Sequence, residues 1–170
     1  MIKQDTFENQ AKSVYIAIGS NLGNKKKNIE KAKFKLIQKK IKILQTSCYY
    51  ESLSWPNSNY PKFINVVLRI CTNLKPFELL KTCKEIEINL GRKKSAKNSP
   101  RECDIDIIDF NGLLSKNKLN LPHKMMHKRN FVLFPLFEIE KEWFHPLLKT
   151  NIKDLILSLS NKEIRSIKQI

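Results

Sequence analysis

Between residues 14 and 110 the apolar residues of this chain switch repeatedly between a strand period and a helical period, and that succession constrains the fold more than any other feature. VYIAI at 14–18 is a short run of β-formers and reads as a buried strand. It gives way at Gly19-Ser20-Asn21-Leu22-Gly23-Asn24 to a turn in which Asn24 suits a helix N-cap. From Lys25 to Lys40, Ile29, Ala32, Leu36 and Ile37 share one helical face and lysines occupy the rest. Ile41 to Tyr50 and Phe63 to Cys71 return to strand character, with a polar, proline-containing loop at 51–62 between them. That loop is long for a hairpin, and loops of such length inside compact domains tend to serve a ligand. A second helix follows: Pro76 suits its first turn, Leu79, Cys83, Ile86 and Leu90 form its stripe, and Gly91 suits the position just past its end. After a basic, aperiodic loop at 92–103, Asp104 to Phe110 is a strand closed by the turn dipeptide Asn111-Gly112.

The order β-α-β-β-α-β predicts an α+β fold of the ferredoxin-like kind, with helices packed on a largely antiparallel sheet. Beyond it, Phe131 to Ile139 is apolar but contains Pro135, which argues against a regular central strand, and Ile152, Leu155, Ile156 and Leu159 mark a closing helix. A length of 170 residues with 41% hydrophobic content suits one domain, expected over 13–170 behind a polar, loose tail at 1–12. No apolar run has the length of a membrane span, and MIKQDTFENQAKS lacks the apolar middle of a secretory signal, so a soluble, cytoplasmic monomer is expected. Cys48, Cys71, Cys83 and Cys103 form no CxxC pair and read as free thiols.

The formal net charge of +16 points toward nucleic acid, an acidic surface or phosphorylated ligands. Most of the excess is lysine on solvated faces. Arginine grips phosphate through a planar fork that lysine lacks, so the five arginines are the informative cations, and three of them, Arg92, Arg101 and Arg129, fall between positions 92 and 129. Between them lies Pro100-Arg101-Glu102-Cys103-Asp104-Ile105-Asp106-Ile107-Ile108. On a strand, Asp104 and Asp106 present both carboxylates to one side, while Ile105 and Ile107 face the other. A hard divalent cation relieves their repulsion, and Mg²⁺ favours one or two carboxylates completed by phosphate oxygens and water. A bare DxD is more often a solvated strand face. The company of a basic loop, His123 and Arg129 shifts the balance toward phosphoryl transfer, which needs metal ions and fixed cations around the transferring group.

Five blocks carry a resemblance to a known family: AIGSNLGN at 17–24, FINVV at 63–67, EIEINLGR at 85–92, SPRECDIDII at 99–108 and LPHKMMHKRNFVLFPLFEI at 121–139. Over residues 14–160 the chain closely resembles the 6-hydroxymethyl-7,8-dihydropterin pyrophosphokinases. The resemblance implies an ATP-dependent transfer of a diphosphate to the hydroxymethyl oxygen of the reduced pterin, leaving AMP, in tetrahydrofolate biosynthesis. It implies that Asp104 and Asp106 hold two Mg²⁺ ions on the triphosphate, with Arg92 and Arg101 beside them in catalysis. ATP is implied as co-substrate, with Glu87, Arg92, His123 and Arg129 along it. For the pterin, the matching positions are the stacking rings Phe63 and Phe131, the amide Asn65, and Ser52, Leu53 and Trp55 of the 51–62 loop. Gly19, Ser20 and Asn21 read as structural, shaping a turn behind the site.

Departures from the family pattern are Lys84 in place of a glutamine, Lys94 and Lys118 at positions often arginine, Lys124 at a position often aromatic, and Asn98 where a tryptophan occurs. Lysine keeps the charge and loses the fork. The main rival is a basic ferredoxin-like RNA-binding domain without catalysis, which needs exposed aromatics on the central strands where this chain carries aspartates. The expected partners are therefore two small substrates, with neither nucleic acid nor membrane.

Overall fold

Strand β1 (Lys12–Ser20) has a neighbour on each side, and its two faces divide the molecule into two cores. Val14, Ile16 and Ile18 point one way and are fully buried, whereas Tyr15, Ala17 and Gly19 point the other. The computed structural model describes residues 12–93, 98–116 and 119–170, so the expected tail lies outside the described residues apart from Lys12, which begins β1. β4 (Phe63–Thr72) pairs with one edge of β1 and β5 (Asp104–Phe110) with the other, both antiparallel. Along the far edge of β4 lie β2 (Lys42–Thr46) and β3 (Tyr50–Ser52) in tandem, and β8 (Lys168–Gln169) pairs with β3. The resulting order is β5-β1-β4-β3-β8, with β2 on β4, and all its pairings among the described residues are antiparallel, as the largely antiparallel sheet predicted from the sequence requires. A small ribbon of β6 (Ser115–Lys116) and β7 (Asn120–Leu121) stands apart.

On the first face, α1 (Lys25–Gln38) contributes Ile29, Ala32 and Leu36, and α2 (Pro76–Asn89) contributes Leu79, Cys83 and Ile86 to a core with Val14, Ile16, Ile18, Leu68 and Ile105. Each fully buried aliphatic side chain there is worth about 1.5–3 kcal/mol against exposure. Asn24 caps α1, its side chain accepting from the Lys27 N–H. On the second face, Tyr15, Val67 and Ile108 meet α3 (Asn130–Ile139) through Val132, Leu133 and Leu136, and α4 (Ile152–Leu157) through Ile152 and Leu155. α3 is covered on so many sides that it is apolar nearly all round and tolerates Pro135 in its interior.

Four local expectations change. Ile37 is 56% exposed, because it lies one residue round the helix from Leu36 and misses the narrow contact with the sheet. The strand expected over 41–50 is broken at 47–49: the Ser47 hydroxyl takes the Val67 N–H, and Glu138 takes the Cys48 N–H, so the ladder is interrupted before Tyr50. Gly19 and Ser20 continue β1 instead of turning out of it. The closing helix, marked by Ile152 to Leu159, ends at Leu157, and a further helix α5 (Asn161–Arg165) follows where Ser160 starts a new capping box with Glu163. All four cysteines are free, and burial drives the Cys83 thiol up to about 12.

Candidate active site

Register places the site residues in rows across the second face of the sheet, at the end that α3 leaves open. Gly19 pairs with Asn65 on one side and with Asp104 on the other, and Tyr50 pairs with Asn65. One pleat further along, Ala17 pairs with Val67 and Asp106. Alternation therefore sends Asp104 and Asp106 to the same side as Asn65 and Phe63, and all four line one cavity of about 60 Å³ with Ser52, Leu53, Trp55, Arg101, Arg129 and Phe131. Gly19 also lines it. A Cβ there would stand 3.0 Å from Asn65 Oδ1 and 3.2 Å from the Phe63 ring, so its place in β1 is set by close approach to the site. Asn65 donates to Ser52 Oγ at 2.9 Å and to the Tyr50 carbonyl at 3.3 Å, which fixes its amide with the oxygen beside Gly19.

Each carboxylate meets cations from other elements. Arg92 Nη1 donates to Asp104 Oδ1 at 2.7 Å, and Arg101 Nε lies 3.7 Å from Asp104 Oδ2. Arg129 Nη1 donates to Asp106 Oδ2 at 3.1 Å, and His123 Nε2 lies 3.9 Å from the same oxygen. Burial, reinforced by Arg129, outweighs the pull of Asp106 and shifts the His123 pKa down. The Arg101 and Arg129 Nε atoms are buried without a hydrogen-bond partner among the described residues. Both guanidinium groups stand over aromatic rings: Arg101 is 5.9 Å from the Phe63 centroid, and Arg129 is 5.2 Å from Trp55 and 5.6 Å from Phe131.

Glu87 lies beneath this layer and does not border the cavity. It is 1% exposed, accepts from the Ile105 N–H at 2.7 Å and is paired with Lys84 and Arg92. A carboxylate so buried costs several kcal/mol unless fully paired, and its three partners make it the anchor that aims Arg92 at Asp104. Asn21, read from the sequence as part of a turn, ties the two long loops together. Its amide donates to Ser54 Oγ and the Pro61 carbonyl, while its Oδ1 and backbone N–H bond Arg101.

Comparison with known proteins fits this geometry. Residues 15–141 match the model of the 7,8-dihydro-6-hydroxymethylpterin-pyrophosphokinase (HPPK) family. The chain belongs to the HPPK family. Among HPPK relatives, it is 39% identical over 143 residues to the 2-amino-4-hydroxy-6-hydroxymethyldihydropteridine pyrophosphokinase of Aquifex aeolicus, covering 84% of this chain and 89% of that protein. It is 42% identical over 149 residues to the folic acid synthesis protein FOL1 of Dictyostelium discoideum, covering 87% of this chain but only 22% of that protein. A crystal structure of a Plasmodium falciparum HPPK-DHPS with pteroate shares the fold, with a TM-score of 0.74 over 97% of this chain and 47% of that one, at 17% identity. Membership of the HPPK family replaces the rival RNA-binding reading.

His123 stands at a boundary. It reaches Asp106 on one side and lines a second cavity of about 680 Å³ on the other, walled by Leu114, Leu121, Leu147 and Leu148 with Lys116 and Lys124 at its edge. The sequence reading passed over this cavity. Its one visible signal was histidine count, since His123, His127 and His145 are all the histidines of the chain and all border it. Of the departing positions, Lys124 lines this cavity, Lys84 holds Glu87, Asn98 lines the first cavity, and Lys94 and Lys118 lie outside the described residues.

Proposed function

We propose that this chain transfers the diphosphate of ATP to the hydroxymethyl oxygen of 6-hydroxymethyl-7,8-dihydropterin and releases AMP, as a step toward tetrahydrofolate. The observation that carries this reading is the sharing of one cavity by the Asp104–Asp106 pair with the Phe63, Asn65 and Phe131 set. A flat heterocycle with an amide-like edge suits two rings and a fixed carboxamide, and phosphate oxygens suit the cation-flanked carboxylates beside them.

Charge balance supports a metal requirement. Lys84, Arg92, Arg101 and Arg129 face Glu87, Asp104 and Asp106 within the same network, so all but one of the cationic charges are already offset. The several negative charges of a triphosphate then need further cations. Asp104 and Asp106 fit Mg²⁺, being partly exposed carboxylates on one strand face with no third acidic ligand, histidine or cysteine completing a cluster among the described residues. Those two residues would hold two Mg²⁺ ions, whose chemistry is to neutralise phosphate oxygens and orient the attacking and leaving groups. Arg101 and Arg129 keep unpartnered Nε–H donors and stand over the rings where the pterin stacks. Pterin entry displaces them from those rings and frees them for the phosphates. His123, between the two cavities, suits the junction of the triphosphate with a nucleoside in the larger, leucine-walled one.

The loop 51–62, tied through Asn21 to Arg101, closes over this junction and excludes water, so that the diphosphate reaches the pterin oxygen in place of hydrolysis. The same reading takes the chain to act as a monomer in the cytoplasm. No helix among the described residues is long and apolar enough to cross a membrane. AMP release from ATP, followed with and without 6-hydroxymethyl-7,8-dihydropterin and with Mg²⁺ or a chelator, tests the proposal. AMP formation requiring both the pterin and the metal supports it; AMP formation that ignores the pterin, or its absence under all conditions, overturns it.

A further inference from the structure

Beyond residue 141, where the match to the family ends, the segment 160–170 touches both walls of the aromatic slot. β8 pairs with β3, opposing Lys168 to Glu51 and Gln169 to Tyr50, and the Ile170 N–H donates to the Tyr49 carbonyl at 2.9 Å. β3 ends at Ser52 and leads directly into Leu53 and Trp55, which line the slot. On the other side, Asn130 opens α3 between Arg129 and Phe131. Its Nδ2 donates to the Glu163 carbonyl at 2.6 Å and to Ser166 Oγ at 3.0 Å, both in or just after α5. Asn130 is 8% exposed, and Ile164 of α5 packs in the same apolar cluster as Phe131.

Between α5 and the slot lies a separate cavity of about 430 Å³, bordered by Leu53, Trp55 and Phe131 on the slot side and by Ser160, Lys162 and Glu163 on the other. The backs of the slot-lining side chains are thus not supported by close packing. Glu138 of α3 also reaches the Tyr50 hydroxyl and the Cys48 N–H, but at the slot end the hydrogen bonds at Asn130 and the β3–β8 pairing add to the spacing of the two walls from behind, and unpacked space of this size lets side chains shift. We infer that the α5–β8 segment is a brace, and Asn130 a positioning residue, which together fix the spacing between the Leu53–Trp55 wall and the Phe131 wall and so set affinity for the pterin without touching it. This assignment rests on the pterin reading for its ligand, but the bracing itself is a property of the fold. ATP binding is expected to be less sensitive to it, because the second cavity, Arg92 and Asp104 do not contact the segment, and only Arg129, beside Asn130, borders the same cavity.

Two variants in the full chain test this. Asn130→Ala removes both side-chain bonds to the α5 region, and Ile170→Pro removes the N–H given to Tyr49 while leaving α3 untouched. Each hydrogen bond is worth about 0.5–1.5 kcal/mol net, so the pterin KM should rise about threefold to tenfold, with the ATP KM unchanged for Ile170→Pro and raised less than the pterin KM for Asn130→Ala, and the protein still folded by thermal melting. Hydrogen exchange should quicken in peptides covering 50–55 and 129–133 for Asn130→Ala, and in 50–55 for Ile170→Pro, whether or not substrate is present. A pterin KM equal to that of the unaltered chain, or a parallel rise in both KM values, overturns the brace, as does unchanged exchange at both walls. Should the unaltered chain release no AMP, the function proposed above fails, and the exchange rates alone decide whether the walls are braced.

Discussion

Gly19 shows how a single atom constrains the site. An added methyl at this position meets Asn65 Oδ1 at 3.0 Å and Phe63 at 3.2 Å, closer than a Cβ normally sits to a neighbour that cannot yield freely. Asn65 cannot retreat without breaking its bonds to Ser52 and Tyr50. Gly19→Ala is therefore expected to push the amide and the ring into the slot, raising the pterin KM by at least about tenfold, with little change in the ATP KM. Steady-state kinetics with each substrate varied in turn checks this, and equal effects on both substrates would count against it. The sequence reading assigned Gly19 to a turn because GSNLG contains turn formers. What it could not convey is that a cross-strand neighbour, distant in sequence, comes this close.

At the level of elements, the strands and helices were readable wherever the apolar period was long and clean. Asp104–Phe110 was bounded correctly because DIDIIDF alternates over its first four residues and ends in a turn dipeptide, and α2 because Pro76 and Gly91 punctuate it. The break at Ser47 was not readable, since it depends on a hydroxyl and a distant carboxylate, Glu138, taking backbone N–H groups from the ladder. The same holds for the loops. That 51–62 and 92–103 serve the site was inferred from their length and charge, but their connection through Asn21 exists only in three dimensions. Asn21 is 1% exposed, and Asn21→Ala leaves the Arg101 N–H and Ser54 without a partner they now share. A loss of about 1–3 kcal/mol is expected, a fall in Tm of several degrees, accompanied by a rise in KM for both substrates because both loops loosen. A calorimetric scan beside the same kinetics would show it, and a variant with unaltered Tm and KM values would deny the coupling.

For the whole molecule, the net charge of +16 proved a weak guide, since the network of Asp104, Asp106 and Glu87 with its cations is nearly balanced and few of the lysines border either cavity. The second core is more telling about stability. His145 is 2% exposed against Trp143, and its Nδ1 accepts from the Leu147 and Leu148 N–H groups, shaping the wall of the larger cavity. Burial, aided by His127, lowers its pKa to about 4. The unfolded chain therefore binds this proton first, near pH 6.5, and the folded chain only near pH 4. Stability from this group is complete above pH 6.5 and drains away as pH falls toward 4, by at most about 3 kcal/mol. Asn in its place keeps an acceptor for the two N–H groups but does not titrate. Melting curves of His145→Asn should be flatter between pH 7 and pH 4 than those of the unaltered chain, and parallel curves would refute the assignment.

The account as a whole depends on Asp104 and Asp106 serving the phosphates and not the pterin. Asp106→Ala, assayed for AMP release with ATP, Mg²⁺ and pterin while pterin binding is followed by fluorescence titration, separates the two most directly. The account predicts a fall in turnover of at least about 10²-fold with pterin affinity retained. Turnover at the rate of the unaltered chain, or a loss explained wholly by failure to bind pterin, would contradict it.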